Sequence, residues 1–206
     1  MTEKARTWIR RATDLVLGLI VVVLALGPVL WGVSTSLKRP DKIVTFPPEL
    51  VPSEPTLENY AQLFAEGIVT PIINSLLVTS ATIAVSLGLG ALTAYSLARY
   101  RFRGRGVFLF SVIAVMSIPL PALIVPTYTF AANIGLLNTR LLLVLLYSAY
   151  HLPLAVWILL GFFETVPRQI DQAAMIDGYS HMEVLRKVVL PLSGPGLIAA
   201  GLFVMV

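Results

Sequence analysis

The chain has 206 residues, 57% of them hydrophobic and 13% charged, with a mean hydropathy of +0.85 and a net charge of +4. Soluble domains rarely reach this apolar content, so the composition points to a polytopic membrane protein. There is no cysteine, which excludes disulfides, thiolate nucleophiles and cysteine-ligated metals.

A helix that crosses a bilayer needs about 20 mostly apolar residues. Residues 15–36, 72–98, 107–130 and 141–163 each meet that requirement, and a fifth apolar run covers 194–206. All 15 Lys and Arg and all 11 Asp and Glu fall outside these runs. A charge at the bilayer centre costs on the order of 3 kcal/mol or more, so this placement is itself a signature of spanning. It also leaves no buried carboxylate or lysine to serve as a proton relay. The expected fold is an all-α transmembrane helical bundle, one domain over 1–206. A helix that stops mid-bilayer leaves carbonyls unsatisfied in hydrocarbon, so the chain is expected to be truncated in its fifth span.

The first span follows Lys4, Arg6, Arg10 and Arg11. Its apolar run is too long for a signal peptide and is followed by Trp31 and Lys38 instead of a small-residue cleavage site. Residues 37–71 are extracytoplasmic in this reading. Pro40, Pro47, Pro48, Pro52 and Pro55 keep the first part extended or turned. Residues 56–64 can form a short helix with Leu57, Tyr60, Leu63 and Phe64 on one face, suited to the membrane surface.

Span 2 carries Gly88, Gly90 and Ala91 together with Ser80 and Ser86, small residues that let helices approach closely. Span 3 carries Pro119, Pro121 and Pro126. Each proline removes a backbone donor, and irregular backbone at membrane depth survives only inside a bundle or beside a wet cavity. Pro119 and Pro121 are therefore expected beside a solute pathway. Tyr128, Asn133, Tyr147, Tyr150 and His151 are the polar and aromatic candidates for contacting a solute near spans 3 and 4.

Lys and Arg collect at the N-terminus, after span 2 (Arg99, Arg101, Arg103, Arg105) and after span 4 (Arg168, Arg186, Lys187). By the positive-inside rule these three regions are cytoplasmic. The third is a long loop, residues 164–193. Pro167 suits a first helical turn, 168–176 can follow as helix, and Asp177-Gly178 is a turn with a left-handed cap. Ser180-His181-Met182-Glu183 has capping-box spacing for a second helix that is expected to stop at Pro191. Ala173 and Ala174 are small enough for a partner surface to come close, and Ile176, Met182, Leu185 and Val189 offer apolar contacts.

The loop reads Gln172-Ala-Ala, three residues, Gly178, nine residues, Val188-x-Leu190-Pro191. This resembles the E-A-A-x3-G-x9-I-x-L-P loop of permease subunits of bacterial ABC importers, with Gln172 in place of Glu and Val188 in place of Ile. Ser36-Leu37-Lys38, Pro55 through Tyr60, Asn74-Ser75, Ala94 through Gly104, Ile118-Pro119-x-Pro121 and Asn133 through Thr139 extend the resemblance over nearly the whole chain. They are similar to the maltose-type carbohydrate permeases, in particular the six-span partner of the heterodimer.

The resemblance implies an ATP-driven importer. In it a second permease would complete the pathway for a sugar or sugar derivative. An extracytoplasmic solute-binding protein would deliver the cargo, and an ABC ATPase dimer would dock at the loop. Asp171, Gln172, Ala173, Ala174, Asp177, Gly178, Val188, Leu190 and Pro191 would form that coupling loop. Gln172 cannot make the ion pair that Glu makes with the ATPase, and Asp171, about 100° round the helix, is the nearest substitute charge. No G-x-x-x-x-G-K-[ST] motif is present, so ATP and Mg would be bound by the partner ATPase and this chain would hold no cofactor or metal and catalyse nothing. The implied location is the bacterial cytoplasmic membrane, multi-pass, N-terminus inside, with no nucleic-acid partner. Import of a non-sugar solute is the nearest alternative. A secondary transporter or an intramembrane enzyme is more remote, because neither an ion site at depth nor a set of convergent catalytic groups is evident.

Overall fold

The computed structural model describes residues 3–205, and among them every regular element is helical. The side chains of Lys4, Arg6, Arg10 and Arg11, as well as Val206, lie outside the described residues. The chain divides into two compact units, Met1–Pro71 and Ile72–Val206.

The first unit holds α1 (Glu3–Ser36), a 3-10 turn (Pro40–Lys42) and α2 (Glu58–Ala65). The stretch Thr13–Ser36 has a mean hydropathy of 2.6 and buries none of its side chains within the chain, so its apolar surface is left for lipid or a partner. Two of the motif fragments meet at the end of α1. Thr56 N–H donates to the Leu37 carbonyl at 2.8 Å. The Asn59 amide donates to the carbonyls of Ser36 and Lys38 at 2.9 and 2.7 Å, and the Tyr60 and Ser36 hydroxyls lie 2.7 Å apart. These bonds take up carbonyls that the helix end leaves open. Lys38 is 2% exposed, its ammonium donating to the Glu49 carbonyl at 2.6 Å and lying 4.5 Å from the Trp31 ring.

The second unit holds α3 (Val69–Arg99) from Ile72 onward, followed by α4 (Arg105–Met116), α5 (Leu120–Asn133) and α6 (Arg140–Thr165). The expected third span, 107–130, is not one helix. It is α4 and α5, bent by 93° at the break. The cause is the run Ser117-Ile118-Pro119-Leu120-Pro121: Pro119 disfavours helical backbone at Ile118, itself sits in extended conformation, and Pro121 then starts α5. Pro126 lies within α5 without ending it.

After α6 come α7 (Arg168–Ile176), α8 (His181–Val184), a π turn (Leu185–Val189), α9 (Leu190–Leu192) and α10 (Gly194–Met205). From His181 to Leu192 these run on as one helix, and α10 departs from it at 83°. The expectation that Pro191 ends this helix is therefore corrected. The widened π turn before it relieves the clash that a proline ring makes with the preceding turn, and Ser193 closes the helix instead.

The core of this unit joins Ala94, Leu97 and Ala98 of α3, Val156, Leu159 and Phe163 of α6, Ala174 of α7, Val184, Leu185 and Val189 of the next helix, and Ala200 of α10. Of the small residues expected to bring span 2 close to a neighbour, Ser86, Gly90 and Ala91 are buried, whereas Ser80 and Gly88 are exposed. A β-carbon at Gly90 would stand 3.3 Å from Ala155 Cβ, whereas one at Gly196 would fall 2.4 Å from the Phe162 ring. Gly196→Val is expected to cost about 1–3 kcal/mol by overpacking. Gly201→Ala, whose nearest neighbour would be Leu87 at 3.7 Å, should cost far less. Melting temperatures of the two purified variants check this; equal values would contradict it.

Candidate functional site

In the hairpin 168–192 the turn and the helix cap are those the sequence anticipated. Its turn is a Schellman motif: Tyr179 N–H donates to the Ala174 carbonyl at 3.0 Å and Gly178 N–H to the Met175 carbonyl at 3.1 Å. That geometry puts Gly178 at φ +91°, a region in which other residues are strained. The capping box is also present. Glu183 N–H donates to the Ser180 hydroxyl at 3.4 Å, and Ser180 N–H donates to the Glu183 carboxylate at 3.1 Å. Lys187 adds a 2.9 Å ion pair to Glu183 and lies 4.9 Å from the Tyr179 ring.

These bonds hold the Glu183 carboxyl down at about 2, with Lys187 as the largest cause and Ser180 next, and they raise the Lys187 ammonium above its ordinary value. Because the carboxyl is depressed, its support for the start of α8 is full above about 4.5 and is lost as pH falls toward about 2. The raised lysine keeps its support below its own ordinary value, so nothing changes near neutrality. Amide protection at 180–184, taken relative to the intrinsic exchange rate at each pH, should fall in acid over that window, and Glu183→Gln should remove that loss of protection. Protection that stays flat in the wild type would refute the assignment.

The hairpin is fixed to the ends of α3 and α6 by arginines. Arg99 grips Asp171 in a bidentate pair, Nε to Oδ2 at 2.5 Å and Nη2 to Oδ1 at 3.2 Å. The same guanidinium donates to the carbonyls of Phe163 and Val166 at 3.0 and 3.1 Å, closing the end of α6. Tyr95 donates its hydroxyl to Asp171 at 3.4 Å. Arg168 donates to the Ala98 carbonyl at 2.6 Å, and Arg105 to the Leu97 carbonyl at 3.0 Å and to Glu164 at 2.9 Å. Two of the four arginines after span 2, Arg99 and Arg105, which the sequence offered only as a topology signal, thus also bond carbonyls at helix ends.

This arrangement corrects four expectations. Asp171 is 4% exposed and committed to Arg99, so its charge is not displayed to a partner in place of the missing Glu. The 100° step to Gln172 is enough to turn from inside to outside: Gln172 and Ala173 are exposed, whereas Ala174 is buried. Leu185 and Val189 lie in the chain's own core, not on a contact surface. Val188 and Leu190 are half-buried against that core, and Pro191 is exposed. What the hairpin presents outward is Gln172, Ala173, Ile176, Asp177, Gly178 and Met182, with Ile176 86% exposed.

A second feature is a cleft of about 900 Å³ beside α3, α5 and α6. Of the residues expected near a pathway, it is lined by Tyr128, Tyr147 and His151, but not by Pro119, Pro121, Asn133 or Tyr150. Sequence reasoning missed Asn74, Thr79 and Thr82 of α3, as well as Asn138 and Arg140. The signal was available, since polar residues recurring every three to five positions of an otherwise apolar span mark one face of a helix.

The description that matches residues 86–206 is "Binding-protein-dependent transport system inner membrane component". The chain belongs to this family. It is 37% identical over 91% of its length to the sulfoquinovosyl glycerol transport system permease protein SmoH of Agrobacterium fabrum, covering 66% of that protein. It is 35% identical over 96% of its length to the trehalose transport system permease protein SugB of Mycobacterium tuberculosis, covering 72% of that protein. The chain therefore spans about two thirds of the length of these relatives. Its fold matches that of a chain from a bacterial ABC transporter involved in the import of the acidic polysaccharide alginate. The TM-score is 0.81 at 23% identity, covering 100% of this chain and 71% of that one. This family membership agrees with the all-α, multi-pass membrane fold anticipated above.

Proposed function

We propose that this chain is a permease subunit of an ATP-driven importer of a sugar or sugar derivative in the bacterial cytoplasmic membrane. With a second permease it forms half of the pathway. A solute-binding protein delivers cargo from outside, and an ABC ATPase dimer, holding ATP and Mg, docks at the hairpin inside, on the same side as the N-terminus. Relatives named for sulfoquinovosyl glycerol and trehalose transport support the sugar class. One observation carries the coupling role: an outward apolar tip, Ile176 and Met182, sits on a hairpin tied to both α3 and α6 through the Arg99–Asp171 pair. A push at the tip then moves two spans and not a loose loop. Reversing a two-state pathway nearly completely takes about 5.5 kcal/mol of differential binding, which this chain cannot draw from ATP itself.

Ile176→Asp tests this reading. Burying an isoleucine side chain is worth about 1.5–3 kcal/mol, so loss of it at the interface should weaken ATPase association at least about tenfold. The permease's own melting temperature should not move, because Ile176 touches solvent in the free chain. An Ile176→Asp variant that still co-purifies its ATPase and takes up sugar would reject the hairpin as the docking point.

A further inference from the structure

Arg140 is the first residue of α6 and lines the cleft. A helix N-terminus carries partial positive charge, so a cation there is placed against the dipole. No Asp or Glu lines the cleft, and among the described residues Arg140 takes part in none of the ion pairs. Two positive sources thus meet at one cavity that has no acidic lining residue.

Along α3, Thr82 lines the same cavity. It is 2% exposed, and its hydroxyl has no hydrogen-bond partner. The side-chain oxygen of Asn74, also at the cavity, is buried and unpartnered too. Buried polar groups are nearly always satisfied, so unmet ones facing a cavity call for a ligand with hydroxyls. Tyr128 and Tyr147 add aromatic surface on which a ring can lie. Thr82 is enclosed by the chain's own side chains, whereas Arg140 at the helix end is exposed.

Resting on the sugar-import reading above, we propose that this cavity takes a sugar ring bearing an anionic substituent, with Arg140 holding the anion and Thr82 a ring hydroxyl. Arg140 is then a specificity residue: it selects the charged ring over its neutral counterpart, while Thr82 serves both. A guanidinium suits a carboxylate, phosphate or sulfonate equally, since each offers two oxygens to its fork of donors.

The test uses the assembled transporter in nanodiscs of phosphatidylcholine, with methyl glucuronide and methyl glucoside as the paired probes in equilibrium dialysis. The glucuronide should bind about tenfold tighter or more, the scale of one charge-assisted hydrogen bond. Arg140→Gln should erase that preference without changing glucoside binding, Arg140→Lys should keep part of it, and Thr82→Val should weaken both probes alike. Added salt should reduce the preference. Equal binding of the two probes, or a preference that survives Arg140→Gln, overturns the anionic assignment and leaves sugar import standing. A preference abolished by adding phosphatidylglycerol to the disc assigns Arg140 to a lipid phosphate and overturns it as well. Binding of neither probe overturns the cavity as a site for such rings, while the import reading stands or falls on the Ile176→Asp test. Unchanged ATPase co-purification in each variant shows that the fold is kept.

Discussion

Asp171→Ala is expected to be the most damaging single change in the hairpin. It removes one partner of an ion pair whose side chains are 8% and 5% exposed and leaves the Arg99 guanidinium buried without its counter-charge. Breaking a buried pair in this way costs about 3–5 kcal/mol, more than the pair itself is worth. The loss should appear as a lower melting temperature of the purified permease and faster proteolysis within 164–193. Arg99→Met should be at least as severe, because the carbonyls of Phe163 and Val166 lose their donors together with Asp171. The double variant Arg99→Met with Asp171→Leu separates the two causes. An apolar pair of similar size often recovers what a broken ion pair loses, so it should regain stability over either single change. It should still fall short of the wild type, since the end of α6 stays uncapped. Asp171→Ala with an unchanged melting temperature would show that the pair is idle. The same variant should leave the salt dependence of ATPase association unaltered, because the Asp171 charge is buried against Arg99.

The length and apolarity of the spans were legible because hydropathy acts over 20 residues and needs no tertiary information. The hairpin's turn and cap were legible for the opposite reason: Gly178, Ser180 and Glu183 act on backbone within four residues of themselves. What escaped was everything set by contacts distant in sequence. Nothing in Arg99 or Asp171 alone announces a partner 72 residues away, so Asp171 read as an exposed charge. Leu185 and Val189 read as contact residues because an apolar helix face does not say whether its own chain or another will cover it. The break at 117–119 was half visible. Three prolines signalled irregular backbone, and Pro119 with Pro121 does break the helix there, but their presence does not give the 93° angle. Pro191 misled for a related reason: the π turn that accommodates it has no sequence signature of its own.

Gly178→Trp is the second large effect, and it separates folding from docking. Gly178 sits at φ +91°, yet a β-carbon there would meet nothing within 4 Å. The cost of a side chain within this chain is thus backbone strain alone, about 1–2 kcal/mol. That is less than the loss at Asp171, and the local hydrogen bonds of the Schellman turn and the capping box resist it. Gly178→Asn, which tolerates left-handed backbone, should be nearly neutral in melting temperature, and Gly178→Ala should show the strain only. If the hairpin tip enters a cleft of the ATPase, Gly178→Trp adds to that same strain an indole in the docking path. The expected pattern is a permease only slightly less stable than Gly178→Ala, with ATPase co-purification and sugar uptake lost in the Trp variant and kept in the Asn and Ala variants. Loss of coupling in Gly178→Ala equal to that in Gly178→Trp would trace the defect to a distorted turn, and retention of uptake in Gly178→Trp would place the docking surface elsewhere on the chain.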